Sequence, residues 1–133
     1  MTQRLPVTDP ALDRLADELR SWAFTFSQET DLHDGIQSVI EQTGWGFERE
    51  AKIGNGRIDF IVRVGKGFVL GHVGIEVKVD GSIPQVAAQL QRYLQSGRID
   101  SLLLVTTKPA HAALPREIAG RAVSVLVVAG GLS

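Results

Sequence analysis

The sequence predicts an α/β fold, a mixed β-sheet with helices on its faces. Three observations support this prediction. Apolar residues recur at helical spacing in the segments after Asp9, Ser27 and Ser82. Segments of period-two alternation flank a Gly-Asn-Gly turn at residues 54–56. Residues 101–107, SLLLVTT, form an apolar run that is typical of a fully buried strand.

Two helices are predicted before the first strand. Asp9-Pro10 begins the first helix, since Asp caps it and Pro fits the first turn. Ser27 caps the second helix, from about residue 28 to residue 42, and Gly44 closes it. The apolar stripe of the first helix either packs in the core or forms a dimer surface. Its members are Leu12, Leu15, Ala16, Leu19, Trp22, Ala23 and Phe26.

The remaining elements follow from turn residues and periodicity. Strands are predicted at 46–53, 57–64, 68–79, 101–107 and 122–128, and a short helix at 116–119. A third long helix begins at Ser82 and ends at Gly97. The predicted order is therefore α, α, β, β, β, α, β, α, β.

Composition bounds the class of protein. The chain has 133 residues, with 44% hydrophobic and 22% charged, which predicts one globular domain over 1–133. The net charge of −1 argues against nucleic-acid binding through bulk charge, although residues 1–41 carry −5 and residues 42–133 carry +4. The absence of cysteine excludes disulfides and thiolate metal sites. No membrane span or signal-peptide core is recognised, and we expect a cytoplasmic location.

Opposite charges interrupt one apolar strand. Ile75, Val77 and Val79 alternate with Glu76, Lys78 and Asp80. The simplest interpretation is a half-buried strand whose polar face is solvated. The alternative is a functional site, and the choice depends on which other polar residues share that face.

Asp59 is the first such residue. It lies on the polar face of the 57–64 strand, where Ile58, Phe60, Val62 and Val64 are assigned to the apolar face. If this strand pairs with the strand of Glu76, the side chains of Asp59, Glu76 and Lys78 converge. Two carboxylates brought together repel, which raises the pKa of at least one of them. A divalent cation would neutralise them, and all-oxygen ligation suits Mg²⁺ or Mn²⁺.

Two helices add polar candidates. Glu29 lies on or beside the apolar stripe of the second helix, where an inward carboxylate needs a partner or a metal; alternatively it interacts with the helix dipole from a flanking position. His33 is interpreted as a polar flank that is near enough to join the site. Gln89 and Tyr93 lie one helical turn apart on the third helix, a spacing that is equally ordinary for an amphipathic helix.

Taken in order, Glu29, the RID segment ending at Asp59, the EVK segment 76–78, and Gln89-x-x-x-Tyr93 resemble the PD-(D/E)XK nuclease superfamily. The resemblance runs from about residue 27 to residue 107 and is closest to RecB-type and type I restriction nuclease domains. It implies a restriction-endonuclease-like fold with core order α-β-β-β-α-β, spanning about 27–128, preceded by an extra N-terminal helix. Ile58 departs from the pattern, since the family has Pro there.

The resemblance also implies residue roles. Asp59, Glu76, Glu29 and the main-chain carbonyl of Val77 would hold Mg²⁺, with Mn²⁺ as a substitute. Lys78 would orient the attacking water and stabilise charge on the phosphate. Gln89 and Tyr93 would steady the site or the nucleic-acid backbone.

The implied activity is metal-dependent hydrolysis of phosphodiester bonds in DNA, by the chain alone, as a homodimer or within a larger nuclease complex. Two alternatives stay open. The chain could be a catalytically inactive module of this fold that binds DNA or a partner protein, or an unrelated α/β module in which the motif match is accidental.

Overall fold

A computed structural model of the chain describes residues 5–22 and 29–129. The α-helices are α1 (Pro10–Arg20), α2 (Glu29–Thr43) and α3 (Ile83–Gln95), and a 3₁₀ helix spans Pro109–Ala113. The strands are β1 (Gly46–Ile53), β2 (Gly56–Val64), β3 (Gly71–Lys78), β4 (Ser101–Thr106), β5 (Glu117–Ile118) and β6 (Arg121–Val127).

The six strands form one open, mixed sheet in the order β1-β2-β3-β4-β6-β5. β1, β2 and β3 pair antiparallel, β3, β4 and β6 pair parallel, and β5 returns antiparallel to β6. The connection from β3 to β4 is a crossover through α3, as parallel pairing requires. The prediction of an α/β fold with a mixed sheet is therefore confirmed.

Helices cover both faces of this sheet. One face packs with α1 and α2 in a cluster that contains Leu15, Ile36, Phe60, Ile75 and Leu103. The other face packs with α3 in a second cluster, whose buried members include Val86, Leu90, Leu94, Leu102 and Leu104. Strands β3 and β4 are central. β4 contributes Leu103 and Val105 to the first cluster and Leu102 and Leu104 to the second, which explains why it is buried along its whole length.

The first helix is shorter than predicted. The Asp9 side chain accepts a hydrogen bond from the N–H of Ala11, and Pro10 occupies the first turn, as expected. The helix ends at Arg20, however, and Trp22 lies beyond it and is 42% exposed. Its apolar residues from Leu12 to Leu19 are buried, so this face is used in the core of the monomer. The predicted stripe members Ala23 and Phe26, and the predicted cap Ser27, lie outside the described residues.

Local interactions at both ends explain why the prediction of the third helix was accurate. The Ser82 side chain accepts a hydrogen bond from the N–H of Gln85, and the Gln85 side chain accepts one from the N–H of Ser82. This capping box satisfies two donors that a helix N-terminus otherwise leaves without partners. At the other end Gly97 has a φ of +81°, a conformation that glycine adopts without strain.

The predicted alternation of β2 is wrong at one point. Phe60, Val62 and Val64 pack in the α1/α2 cluster, but Ile58 packs in the α3 cluster. The switch lies opposite Glu50 of β1, whose φ is +51° and whose pairing with β2 is interrupted. A left-handed residue breaks the pleat, so the side chains that follow it in β1, and those opposite in β2, change faces.

The short helix predicted at 116–119 is also wrong. The 3₁₀ helix begins earlier, at Pro109, and residues 117–118 form β5 instead. Ala119 and Gly120 both have positive φ, at 54° and 76°. Two such residues make a tight hairpin turn, so Glu117 and Ile118 pair with Ala122 and Arg121.

The strand predicted at 68–79 begins later, at Gly71, and residues 68–70 form part of the preceding loop, with Phe68 72% exposed. None of the helices in the described ranges is both long enough and apolar enough to cross a bilayer.

Candidate functional site

The candidate site is a fork where β2 and β3 separate, which we call the β2–β3 fork and define by Asp59, Glu76 and Val77. The two strands pair from Val64 and Gly71 up to Phe60 and Ile75, and the ladder stops there. Asp59 and Glu76 are the next residues on each strand. At the fork the hydrogen bonds between the two backbones end, and the side chains of Asp59 and Glu76 lie between the strands.

Carboxylates replace the missing ladder bonds. The N–H of Val77 donates to Oδ2 of Asp59 at 2.7 Å, and the N–H of Asp59 donates to Oε1 of Glu76 at 3.2 Å. Each acid thus accepts a hydrogen bond from the strand that carries the other acid. This reciprocal arrangement holds the two carboxylates side by side and fixes their orientation.

The main chain of Val77 adds an oxygen at the same place. Within a strand, the N–H and C=O of one residue point to the same side. Since the Val77 N–H points to β2, its carbonyl also faces the fork, beyond the last ladder pair. The next carbonyl, that of Lys78, points the opposite way and accepts from the N–H of Thr107 on the β4 side at 3.2 Å.

The two acids differ in how far their side chains are buried. The Glu76 side chain is only 5% exposed, whereas that of Asp59 is 23% exposed. The interpretation of Glu76 as part of a solvated strand face is therefore wrong. The cause is α3, which covers this face of the sheet and places Tyr93 against Glu76.

Lys78 supplies the cation of the site. It lies two residues after Glu76 on the same face of β3, and its Nζ is 3.5 Å from Oε2 of Glu76. Its side chain is 26% exposed, so the ammonium group lies at the mouth of the fork.

Tyr93 and Gln89 of α3 form the wall on the opposite side. The Tyr93 hydroxyl donates to the carbonyl of Arg57 at 2.7 Å and accepts from Nε2 of Gln89 at 2.7 Å. The same hydroxyl lies 3.4 Å from Oε2 of Glu76. Burial and the nearby Glu76 charge raise the pKa of Tyr93 to about 12, so its proton is retained at neutral pH. The structure thus brings Gln89 and Tyr93 to the two acids.

His33 joins the site, although the sequence favoured a polar flank. Its Nε2 lies 3.6 Å from Oδ2 of Asp59, and its ring packs edge-on against Phe60 with centroids 6.3 Å apart. This histidine of α2 reaches β2 because α2 packs against the face of the sheet that carries Phe60. The sequence gave no sign of that packing except the place of His33 beside the apolar stripe of the helix.

The environments of the two acids push their pKa values apart. Burial raises the pKa of Glu76 to about 8, and the charge of Asp59 contributes in the same direction. Burial also acts on Asp59, but the nearby His33 ring and the hydrogen bond from the N–H of Val77 outweigh it and lower its pKa. In the metal-free fork Glu76 therefore holds a proton more tightly than Asp59 does.

Glu29 is the first residue of α2. Its side chain lies outside the described part of the structure, so its predicted place at the fork stays a prediction.

The donor set fits a hard cation. Within the described ranges, no three His, Asp or Glu side chains form a group that could hold a metal by themselves. Mg²⁺, however, typically binds through one or two carboxylates and completes its shell with water and substrate phosphate. The fork offers two carboxylates and one main-chain carbonyl, which is a donor set of this kind. A cation there would also offset the repulsion that raises the pKa of Glu76.

Comparisons of the chain with models of protein families, with curated proteins and with solved structures gave no match.

Proposed function

We propose that the chain is a metal-dependent nuclease of the PD-(D/E)XK type, which hydrolyses phosphodiester bonds in DNA. The observation that carries the proposal is the β2–β3 fork, where Asp59 and Glu76 are held side by side with Lys78 at the mouth. The order α2-β1-β2-β3-α3-β4 supports it, since it is the order expected of a restriction-endonuclease-like core.

Each residue of the fork has its own role in the proposed reaction. Asp59, Glu76 and the Val77 carbonyl would bind Mg²⁺, and Glu29 would add a contact if its side chain reaches the fork. A cation held by these residues would supply Lewis-acid chemistry, toward water and toward a phosphoryl oxygen. Lys78 orients the attacking water and stabilises the negative charge that develops on the phosphate. Tyr93 and Gln89 fix the wall of the site, because their hydrogen bonds tie α3 to β2.

The alternative is an inactive module of the same fold that binds DNA or a partner protein. The electrostatics of the fork favour the nuclease. A buried Glu76 beside an ionised Asp59 destabilises the folded chain near neutral pH, and a binding module gains nothing from that cost. Such a cost is ordinary where a cation is to be bound.

The test is cleavage of duplex, branched and single-stranded DNA in Mg²⁺ and in Mn²⁺, with RNA as a parallel substrate. We expect nicking or cutting that EDTA abolishes. Asp59→Asn and Glu76→Gln should each remove nearly all activity, because each deletes a charge from the cation site while preserving side-chain size. Asp17→Asn is the matched control, since Asp17 is an exposed acid of α1. Activity in EDTA, or unchanged activity in both site variants, would contradict the proposal.

A further inference from the structure

Two basic residues lie opposite each other in the hairpin formed by β1 and β2. Lys52 of β1 pairs directly with Arg57 of β2, next to the pair that closes the turn. Both side chains are exposed. In an antiparallel pair, side chains directly opposite each other project from the same face of the sheet, with Cβ atoms about 5 Å apart. We call Lys52 and Arg57 the hairpin cations.

The hairpin cations project from the face of the sheet on which α1 and α2 pack. Their neighbours along each strand face α3 instead. Three of these neighbours belong to the α3 cluster, namely Ala51, Ile53 and Ile58. The fourth is Gly56, where an added Cβ would lie 4.0 Å from the Tyr93 ring of α3. Because side chains alternate between faces along a strand, Lys52 and Arg57 point away from α3.

The hairpin cations have no counter-ion within the described ranges. Neither side chain makes a hydrogen bond or an ion pair there. Two nearby arginines do, since Arg49 contacts Asp34 and Arg98 contacts Glu48. Like charges directly opposite each other lower the stability of an antiparallel pair. Two exposed cations that repel each other and have no acid partner are the arrangement expected where both bind an anion.

The hairpin cations adjoin the β2–β3 fork. Arg57 stands two residues before Asp59 on β2, a distance of about 7 Å along a strand. The Arg57 carbonyl accepts the Tyr93 hydrogen bond at 2.7 Å, which ties this part of β2 to the wall of the fork. Oδ2 of Asp59 lies 3.6 Å from Nε2 of His33 in α2, so the carboxylate borders the face from which the hairpin cations project. A ligand with regularly spaced negative charges can therefore contact the fork and the hairpin cations together.

We propose that Lys52 and Arg57 form a phosphate-binding subsite, which holds the nucleic-acid backbone on the β1 side of the fork. The proposal rests on the proposed nuclease function and deepens it, because it states where the substrate strand lies beyond the cation site. Contacts of this kind carry no sequence information, since every nucleotide presents the same phosphate. Free phosphate offers the same chemistry, and the experiment separates the two sources.

The first measurement tests the like-charge pair without a ligand. Thermal melts in EDTA at about 20 mM salt compare the wild type with Lys52→Gln, Arg57→Gln and the double variant. Each single substitution should raise the melting temperature by about 2 °C, because it removes the repulsion. The double variant should gain no more than either single variant, since the repulsion is already absent. Lys66→Gln, at an exposed turn beyond the opposite end of β2, is the matched control and should leave the melting temperature unchanged.

The second measurement is binding of a dye-labelled single-stranded oligonucleotide in EDTA, by fluorescence anisotropy, with salt varied from about 50 to 200 mM. Loss of one phosphate contact reduces the slope of log affinity against log salt by about one. Lys52→Gln and Arg57→Gln should each show this reduction, so the advantage of the wild type shrinks about fourfold across the salt range. Lys52→Arg should keep the slope, because the charge remains, and Lys66→Gln should match the wild type.

Four results would overturn the subsite. The first is a wild type that does not bind the oligonucleotide, and the second is an equal reduction of the slope in Lys66→Gln, which indicates diffuse charge. The third is a lower melting temperature in both single variants, which shows that the two cations do not repel each other. In the fourth, inorganic phosphate raises the melting temperature of the wild type but not of Arg57→Gln while the oligonucleotide slopes are unchanged, which indicates a small-anion site.

A parallel cleavage assay in Mg²⁺ separates this proposal from the proposed function. Cleavage by the wild type with unchanged slopes in the variants contradicts only the subsite. Reduced slopes without cleavage by the wild type contradict only the nuclease.

Discussion

Replacing Glu76 by Gln should stabilise the metal-free protein at alkaline pH. The pKa of Glu76 is raised from 4.5 to about 8 by burial and by the charge of Asp59. Below pH 4.5 this residue is protonated in both the folded and the unfolded chain, so its contribution to stability is complete. As pH rises from 4.5 through about 8, the unfolded chain releases the proton first, and that stability is lost. Glutamine is neutral at every pH and of similar size, so the variant does not suffer this loss.

The magnitude follows from the shift. Each pKa unit corresponds to about 1.4 kcal/mol, which gives a ceiling on the order of 5 kcal/mol at pH 9 for a shift to about 8. Water entry and relaxation around the charge recover part of this, so we expect a gain of about 2 kcal/mol. For a chain of this size that is roughly 6–10 °C in melting temperature. At pH 5 the two proteins should melt within a few degrees of each other.

The assay is thermal or urea unfolding from pH 4.5 to pH 9 in EDTA and again in millimolar Mg²⁺. Mg²⁺ should stabilise the wild type by mass action and the variant much less. Glu18→Gln, a substitution of an exposed acid on α1, is the matched control and should follow the wild type. Parallel pH profiles for the wild type and Glu76→Gln, or a variant that is less stable at pH 8, would refute the reasoning.

Two further substitutions test the wall and the mouth of the fork. If the proposed function is right, Lys78→Ala should lower the turnover number far more than DNA affinity, because one cation contributes little to backbone binding but would lie where charge develops on the phosphate. Equal losses in single-turnover cleavage and in anisotropy binding would make Lys78 a phosphate anchor instead. Tyr93→Phe should lower the free energy of unfolding by about 1 kcal/mol, because the Arg57 carbonyl and the Gln89 amide lose their partner; urea denaturation measures this, and an unchanged midpoint would contradict it.

Elements with local signals were predictable from the sequence. The boundaries of α3 follow from the Ser82 cap and from Gly97, both of which act within a few residues of themselves. The β1–β2 turn was predictable from the Gly54-Asn55-Gly56 segment, although its central residues are Gly54 and Asn55 and the positive φ, 55°, is at Gly54. The error at 116–119 was also local. Ala119 adopts a positive φ there, which a propensity argument does not assign to alanine.

The site was predictable only in part. The alternation of apolar and polar residues along two strands was enough to predict that Asp59 lies near Glu76 and Lys78. That prediction required only that β2 and β3 pair. The identity of the protonated acid was not predictable, because it depends on α3 covering Glu76 and on the donors around Asp59. His33 shows the same limit, since its distance to Asp59 depends on how α2 packs on the sheet.

The departures from regular structure fall together around the fork. Glu50 takes a left-handed φ, β2 changes faces opposite it, the β2–β3 ladder stops at Phe60, and Glu76 is buried beside another acid. Each departure alone lowers stability: a left-handed non-glycine residue costs about 1–2 kcal/mol, and a buried carboxylate costs more. Scattered over a fold they would be independent defects. Here the broken pleat and the ended ladder open the space that the Asp59 and Glu76 carboxylates occupy. Strain that is concentrated where it opens a polar fork is the pattern expected of a functional site, since a fold selected for stability alone would close the ladder.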